Sequence, residues 1–97
     1  MNSYSPIVTW DERKNAINQK KHKLAFELAQ YVFDDPRHLV ENNGIVDSEQ
    51  RWLAIGRIGA ATVIVVAHTY QDDDGQEYIR LISARKAESI EVKRYEI

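Results

Sequence analysis

The chain has 97 residues, 43% hydrophobic and 29% charged, with a formal net charge of −2. That length fits one domain over residues 1–97, with residues 1–6 a loose end and one modest core. There is no cysteine, which excludes disulfides, zinc–thiolate sites and thiol catalysis and fits a reducing cytoplasm. No basic region followed by an apolar run opens the chain. The longest apolar stretch, 60–67, is broken by Thr62 and is too short to cross a bilayer, so neither a signal peptide nor a membrane partner is expected.

The charge is segregated. Residues 1–23 carry +3, residues 24–78 carry −7 and residues 79–97 carry +2. Ends that meet in the fold would make one positive face. The alternative is that these charges only solvate helices.

Residues 7–10, Ile-Val-Thr-Trp, are apolar and β-prone and read as a first strand. Thr9 and Glu12 have capping-box spacing, and Asp11 is an N-cap in its own right, so a helix is expected over about 11–21. Its apolar side is thin, with Ala16 and Ile17 as its clear members. Leu24, Ala25, Leu28, Ala29, Val32 and Phe33 recur at helical spacing and predict a second helix over 24–33. Asp34-Asp35-Pro36 ends it, since the residue before proline avoids the α region.

After Pro36 the pattern turns to strands. Residues 37–41 read as a weak strand, 42–44 (Asn-Asn-Gly) as a turn, and 51–56 as the next strand. The glycines at 56 and 59 suit a hairpin turn near 57–60. Residues 62–69 are β-branched and predict the central strand. Residues 71–76 read as an acidic loop and 77–83 as the last strand. Ser83 would cap a final helix over 84–95, with Ala87, Ile90, Val92 and Tyr95 among its inner positions. The predicted order is β-α-α-β-β-β-β-α. It describes an α+β domain whose mainly antiparallel sheet of four to five strands has helices packed on one face.

Metal sites would need histidines and carboxylates. His22, His38 and His68 lie far apart without ligand spacing, and the acidic run at 72–75 lacks the alternating ligands of a calcium loop, so neither metal nor cofactor is expected. No nucleophile elbow and no phosphate-binding glycine loop is present. What remains is cationic. Lys20, Lys21, His22 and Lys23 end the first helix, where the helix dipole alone would favour them. Arg80 lies in an apolar strand, and Arg85 and Lys86 lie at the expected start of the last helix. Both arginines suit either a phosphate or an internal salt bridge. Metal-free RNA cleavage needs an acid, a base and cations around the phosphate, roles that His, Lys, Arg and Tyr can fill. These residue types are equally compatible with a binding module.

Three segments resemble the BrnT toxin family: 10–15 with 18–22; 25–29 with 32–36; and Ile79 to Ala87, closing on Arg94-Tyr95-Glu96. The resemblance implies a RelE-like fold and an endoribonuclease that arrests growth by cleaving RNA. It also implies a small BrnA-like antitoxin that occludes the toxin and, as the DNA-binding partner, represses the shared promoter. Carried onto this chain, it implies His22 as acid–base and Arg80 and Arg85 as phosphate binders. Lys21, His68 and Tyr95 complete the candidate catalytic set, and Lys20, Lys23 and Lys86 are candidates for binding RNA. The chain departs from the family at Lys23, where glycine is usual at the helix junction. The competing reading is a catalytically inactive relative that binds RNA or protein.

Overall fold

The computed structural model describes residues 6–97. A five-stranded sheet forms its centre: β1 (Ile7–Trp10), β2 (Leu39–Val46), β3 (Glu49–Ile58), β4 (Thr62–Asp73) and β5 (Gln76–Lys86). The spatial order is β1-β5-β4-β3-β2. All pairings are antiparallel except β1 with β5, which is parallel and joins Val8 to Ile79 and Trp10 to Leu81. The two basic ends of the sequence are therefore neighbours.

Side chains alternate between the two faces of a sheet. On the first face, Ala54, Ile64, Val66, Ile79, Leu81 and Ala84 form the main core with Leu24, Phe26, Ala29 and Val32. These last four belong to the segment around helix α2 (Phe26–Ala29) and the 3₁₀ turn Gln30–Asp34. The expected helix over 24–33 is thus shorter. Leu24 is buried before it starts, and Leu28 faces solvent at 56% exposure. Gly56 lets this layer settle on the sheet, because a Cβ there would come within 2.9 Å of both Val32 Cγ2 and His38 Cβ.

Helix α1 (Glu12–His22) begins where Asp11 accepts from the Arg13 N–H. Its inner side differs from expectation: Ile17 is 58% exposed, while Asn15 and Asn18 are buried. Asn15 accepts from the Phe26 N–H at 2.9 Å and donates to Glu27. Asn18 donates to the carbonyls of Leu24 and Ala84 at 2.8 and 2.9 Å, and accepts from the Ala84 N–H at 3.0 Å. Beyond Trp10 the edge of β5 has no strand partner in β1, and the Asn18 amide takes that partner's place. A polar helix is buried here through its hydrogen bonds rather than its apolar area.

Lys23 closes α1 in the left-handed conformation (φ 58°, ψ 33°), with its N–H on the Gln19 carbonyl. A side chain carries a steric cost there that glycine avoids. Lys23→Gly is expected to raise stability by about 0.5–1 kcal/mol, seen as a melting temperature roughly 3–6 °C higher.

Three further boundaries differ from the sequence reading. The segment 42–44 is a bulge within β2, and the turn falls at Asp47-Ser48, both with positive φ. The acidic loop is a continuation of β4 and β5 closed by Asp74-Gly75, whose positive φ values suit a two-residue hairpin. Residues 83–86 stay in β5, paired to β4, and the last helix is α3 (Ser89–Glu96), opened by a capping box between Glu88 and Glu91. Nor do the helices share one face. Tyr95 of α3 packs with Ile55 and Val65 on the second face, opposite α2. Among the described residues no helix is long and apolar enough to cross a membrane.

Candidate active site

The cationic candidates converge on β5. Arg80 and Arg85 are five positions apart, which in a regular strand would place them on opposite faces. The β4–β5 register shifts between Ala67 and His68: Ser83 pairs with Ala67 but Leu81 with His68, leaving Ile82 as the extra residue of a bulge. That one residue restores Arg80 and Arg85 to the same side, the second face. Bulges commonly re-aim side chains in this way at functional sites. Arg85 pairs with Val65 and so stands beside α3, while Arg80 pairs with Thr69 at the part of the face that α3 leaves open.

Both arginines are held by carboxylates. Arg80 meets Glu49 at 2.6 Å, an exposed pair. Arg85 makes two parallel bonds of 2.8 Å to Glu91, a fork geometry that fixes the guanidinium plane. Arg85 thus sits at the end of a strand, held from α3, and not at a helix N-terminus. Glu91 also accepts the Glu88 N–H at 2.8 Å. The Arg85 bonds outweigh burial and hold the Glu91 carboxyl down at about 2. A carboxyl depressed from its unfolded value near 4.5 adds stability above that pH and loses it as the pH falls towards 2. After allowance for the half-exposed Arg85, acidification from pH 5 to 2.5 is expected to remove about 1–2 kcal/mol through this group. Thermal melts of wild type beside Glu91→Gln at the two pH values measure it, and the variant should lack this component.

The sequence reading missed Arg51 as a site residue. It lies next to Trp52 in β3, on the same face as Arg80, and its Nε is buried without a hydrogen-bond partner among the described residues. With Asp11, Lys14, Asp47, Glu49 and Arg80 it lines a cleft of about 350 Å³. A buried guanidinium nitrogen with no protein acceptor is the usual mark of a group kept for a ligand or water. Burial shows it, since in the sequence Arg51 has only its place in the family resemblance and no local pattern of its own.

Asp11 and Lys14 bring the start of α1 to this cleft, while the other end of the helix lies further along β5. The carbonyls of Leu24 and Ala84 share the Asn18 amide, so Lys21, His22 and Lys23 end beside the segment that carries Arg85 and Lys86. His22 is half-buried, and Lys20, Lys21, Lys23 and Lys86 are exposed.

His68 lies on the other face, and Tyr95, on the same face as Arg85, is engaged with Asp35. His68 is 3% exposed on the first face, edge-on to Phe33 at 4.9 Å, so the sheet separates it from the arginines. Burial pushes its pKa down and favours the neutral ring. Tyr95 is buried against the sheet by α3, where its hydroxyl donates to Asp35 at 2.6 Å and Arg57 stacks over its ring at 5.7 Å. Asp35 accepts as well from the N–H groups of Arg37 and Arg57. Burial opposes its ionisation, but these donors, Tyr95 first, hold its carboxyl below the usual range. Tyr95 therefore ties α3 to the turn before β2. No three His, Asp or Glu side chains group as metal ligands among the described residues.

Residues 10–91 match the family described as the ribonuclease toxin, BrnT, of type II toxin–antitoxin systems. The chain belongs to the BrnT toxin family. The fold agrees. The crystal structure of the Brucella abortus ribonuclease toxin BrnT, at 1.1 Å resolution, is similar with a TM-score of 0.60 and 24% sequence identity, covering 88% of this chain and 100% of that one. No match is found among curated protein sequences. The matched span begins at Trp10 and ends at Glu91, so it takes in Arg51, Arg80, Arg85 and the α1 terminus and leaves out Tyr95.

Proposed function

We propose that this BrnT-family chain is a metal-independent endoribonuclease that arrests growth in the cytoplasm and is neutralised by a BrnA-like antitoxin, which provides its only link to DNA. The observation that carries the reading is the bulge at Ile82. It sets Arg80 and Arg85 on one face, with Arg51 beside Arg80 and the Lys21–His22 terminus next to the Arg85 end of the strand. In this reading His22 exchanges the proton of the 2′-hydroxyl or of the leaving 5′-oxygen, with Lys21 beside it. Arg80 and Arg85 hold phosphates, Arg51 adds a third cation, and Lys20, Lys23 and Lys86 guide the RNA strand. His68 and Tyr95 support the fold around this group.

A second reading is a catalytically inactive relative that binds RNA or only its partner. The ion pairs of Arg80 with Glu49 and Arg85 with Glu91 favour it, because a phosphate must compete with both carboxylates. Induced expression in a bacterial host separates the two. Growth and total RNA integrity are followed for wild type beside the double variant His22→Ala, Arg85→Ala. Arrest with RNA loss in the wild type alone supports the ribonuclease. No arrest from soluble, folded protein supports the binding reading. Purified wild type is expected to keep cleaving RNA in excess chelator.

A further inference from the structure

The first face of the sheet is not fully covered. Beyond the 3₁₀ turn it leaves a cavity of about 400 Å³ among Phe33, His38, Trp52, His68, Tyr70 and Glu77. Small-molecule sites have this size and lining. The polar groups within it are specific. His68 places Nδ1 3.2 Å from the Val66 carbonyl oxygen, and His38 places Nδ1 2.7 Å from that of Asp35. A carbonyl only accepts, so in both rings Nδ1 carries the proton and donates, and in the neutral ring Nε2 keeps a lone pair. Neither Nε2 has a hydrogen-bond partner among the described residues, although His68 is 3% exposed. Glu77 adds a carboxylate, already anchored by the Tyr70 hydroxyl at 2.7 Å. Against these acceptors Trp52 offers an indole N–H. The walls are flat rings: the two imidazoles stand edge-on to Phe33 at 5.8 and 4.9 Å, and Trp52 and Tyr70 line the opening.

A planar ligand with an amino donor and a ring acceptor satisfies this set. Adenine has both. Uracil presents two carbonyl oxygens to a wall of acceptors and fits poorly. The cavity shares a lining residue with the arginine face. The β3–β4 pairing ends at Trp52 and His68, whereas β4 runs on to Asp73, and around that free edge Tyr70 lines both this cavity and the cleft holding Thr9, Thr69 and Arg80. A strand held by Arg80 on one side can turn a base around Tyr70 into the other.

We propose that this cavity is a base-binding subsite for an unpaired adenine, stacked on Tyr70, with its amino group donating to His68 Nε2 and Glu77 and a ring nitrogen accepting from the Trp52 indole N–H. It deepens the ribonuclease reading only in naming RNA as the source of the base. Aromatic stacking and edge hydrogen bonds are the usual means of reading single-stranded RNA.

The test is a nuclear magnetic resonance titration of the full chain with adenosine, uridine and purine riboside 5′-monophosphates, following the Trp52 indole and the His68 ring. The expected result is saturable shifts at both groups, with the adenine nucleotide at least ten-fold tighter than either of the others. His68→Phe should abolish the preference. Tyr70→Ala, at a 47% exposed position that leaves the core intact, should weaken binding at least five-fold. Equal binding of the three nucleotides, or a preference unchanged in both variants, overturns the subsite. The ribonuclease reading fails separately: cleavage of RNA without mononucleotide shifts at His68 removes the subsite alone, and adenine binding without cleavage removes the nuclease alone.

Discussion

Asn18→Ala is expected to destabilise the protein by about 3 kcal/mol, lowering its melting temperature by roughly 12–20 °C. The side chain is 5% exposed and makes three hydrogen bonds to backbone groups. Alanine removes all three and leaves the Ala84 N–H, the Ala84 carbonyl and the Leu24 carbonyl short of partners. An unmet buried polar group costs about 1–3 kcal/mol, partly offset where water enters. Asn18→Asp keeps an acceptor for the Ala84 N–H but turns a negative oxygen towards two carbonyls, so it should be no better than alanine. Asn18→Ser, too short to reach both Leu24 and Ala84, should fall between wild type and alanine. Urea unfolding measures the series, and a loss below about 1 kcal/mol for alanine would show that the amide does not hold the edge of β5.

His22→Ala is expected to lower RNA cleavage by about 10²- to 10⁴-fold, the usual contribution of a positioned acid or base. Its fold should survive, because the side chain is half-buried and makes no hydrogen bond with the described residues. The loss should appear in the rate at saturating RNA, with binding little changed. Arg80→Ala should instead weaken binding and steepen its dependence on salt less than wild type, since one phosphate contact is gone. Single-turnover cleavage beside filter binding separates the two effects. A His22→Ala protein that cleaves at the wild-type rate removes the residue from the chemistry.

Much of the fold was legible in the sequence because apolar periodicity reports it. The five strands, their largely antiparallel pairing and the second helix follow from residues such as Ile64, Val66, Ala29 and Val32, which are buried as their spacing predicts. What escaped is decided by hydrogen bonds between distant residues. Asn15 and Asn18 read as surface positions, since polarity alone gives no sign of an acceptor 66 residues away. Ser83 carries a helix-capping signal, but the Asn18 amide and the pairing with β4 keep 83–86 extended. At Lys23 the resemblance marked a glycine position, and the left-handed backbone explains why. Of the candidate site, the arginines of β5 were legible as charge placed against local pattern, whereas the α1-terminal cations, which the helix dipole would favour in any case, were legible only through the resemblance. The bulge that aligns Arg80 with Arg85 and the unpartnered Arg51 nitrogen were not, because neither register nor burial has a one-dimensional signature.

The parallel pairing of β1 with β5 also bears on when the molecule becomes competent. The strand that carries Arg80 and Arg85 is the last to leave the ribosome, yet it is inserted between the first strand and the fourth. A nascent chain that stops before residue 76 has neither arginine and no neighbour for β1. Contacts so distant in sequence also form slowly. On the function proposed above, the phosphate-binding face is completed only once β5 has been made and inserted, which leaves an interval between translation and competence.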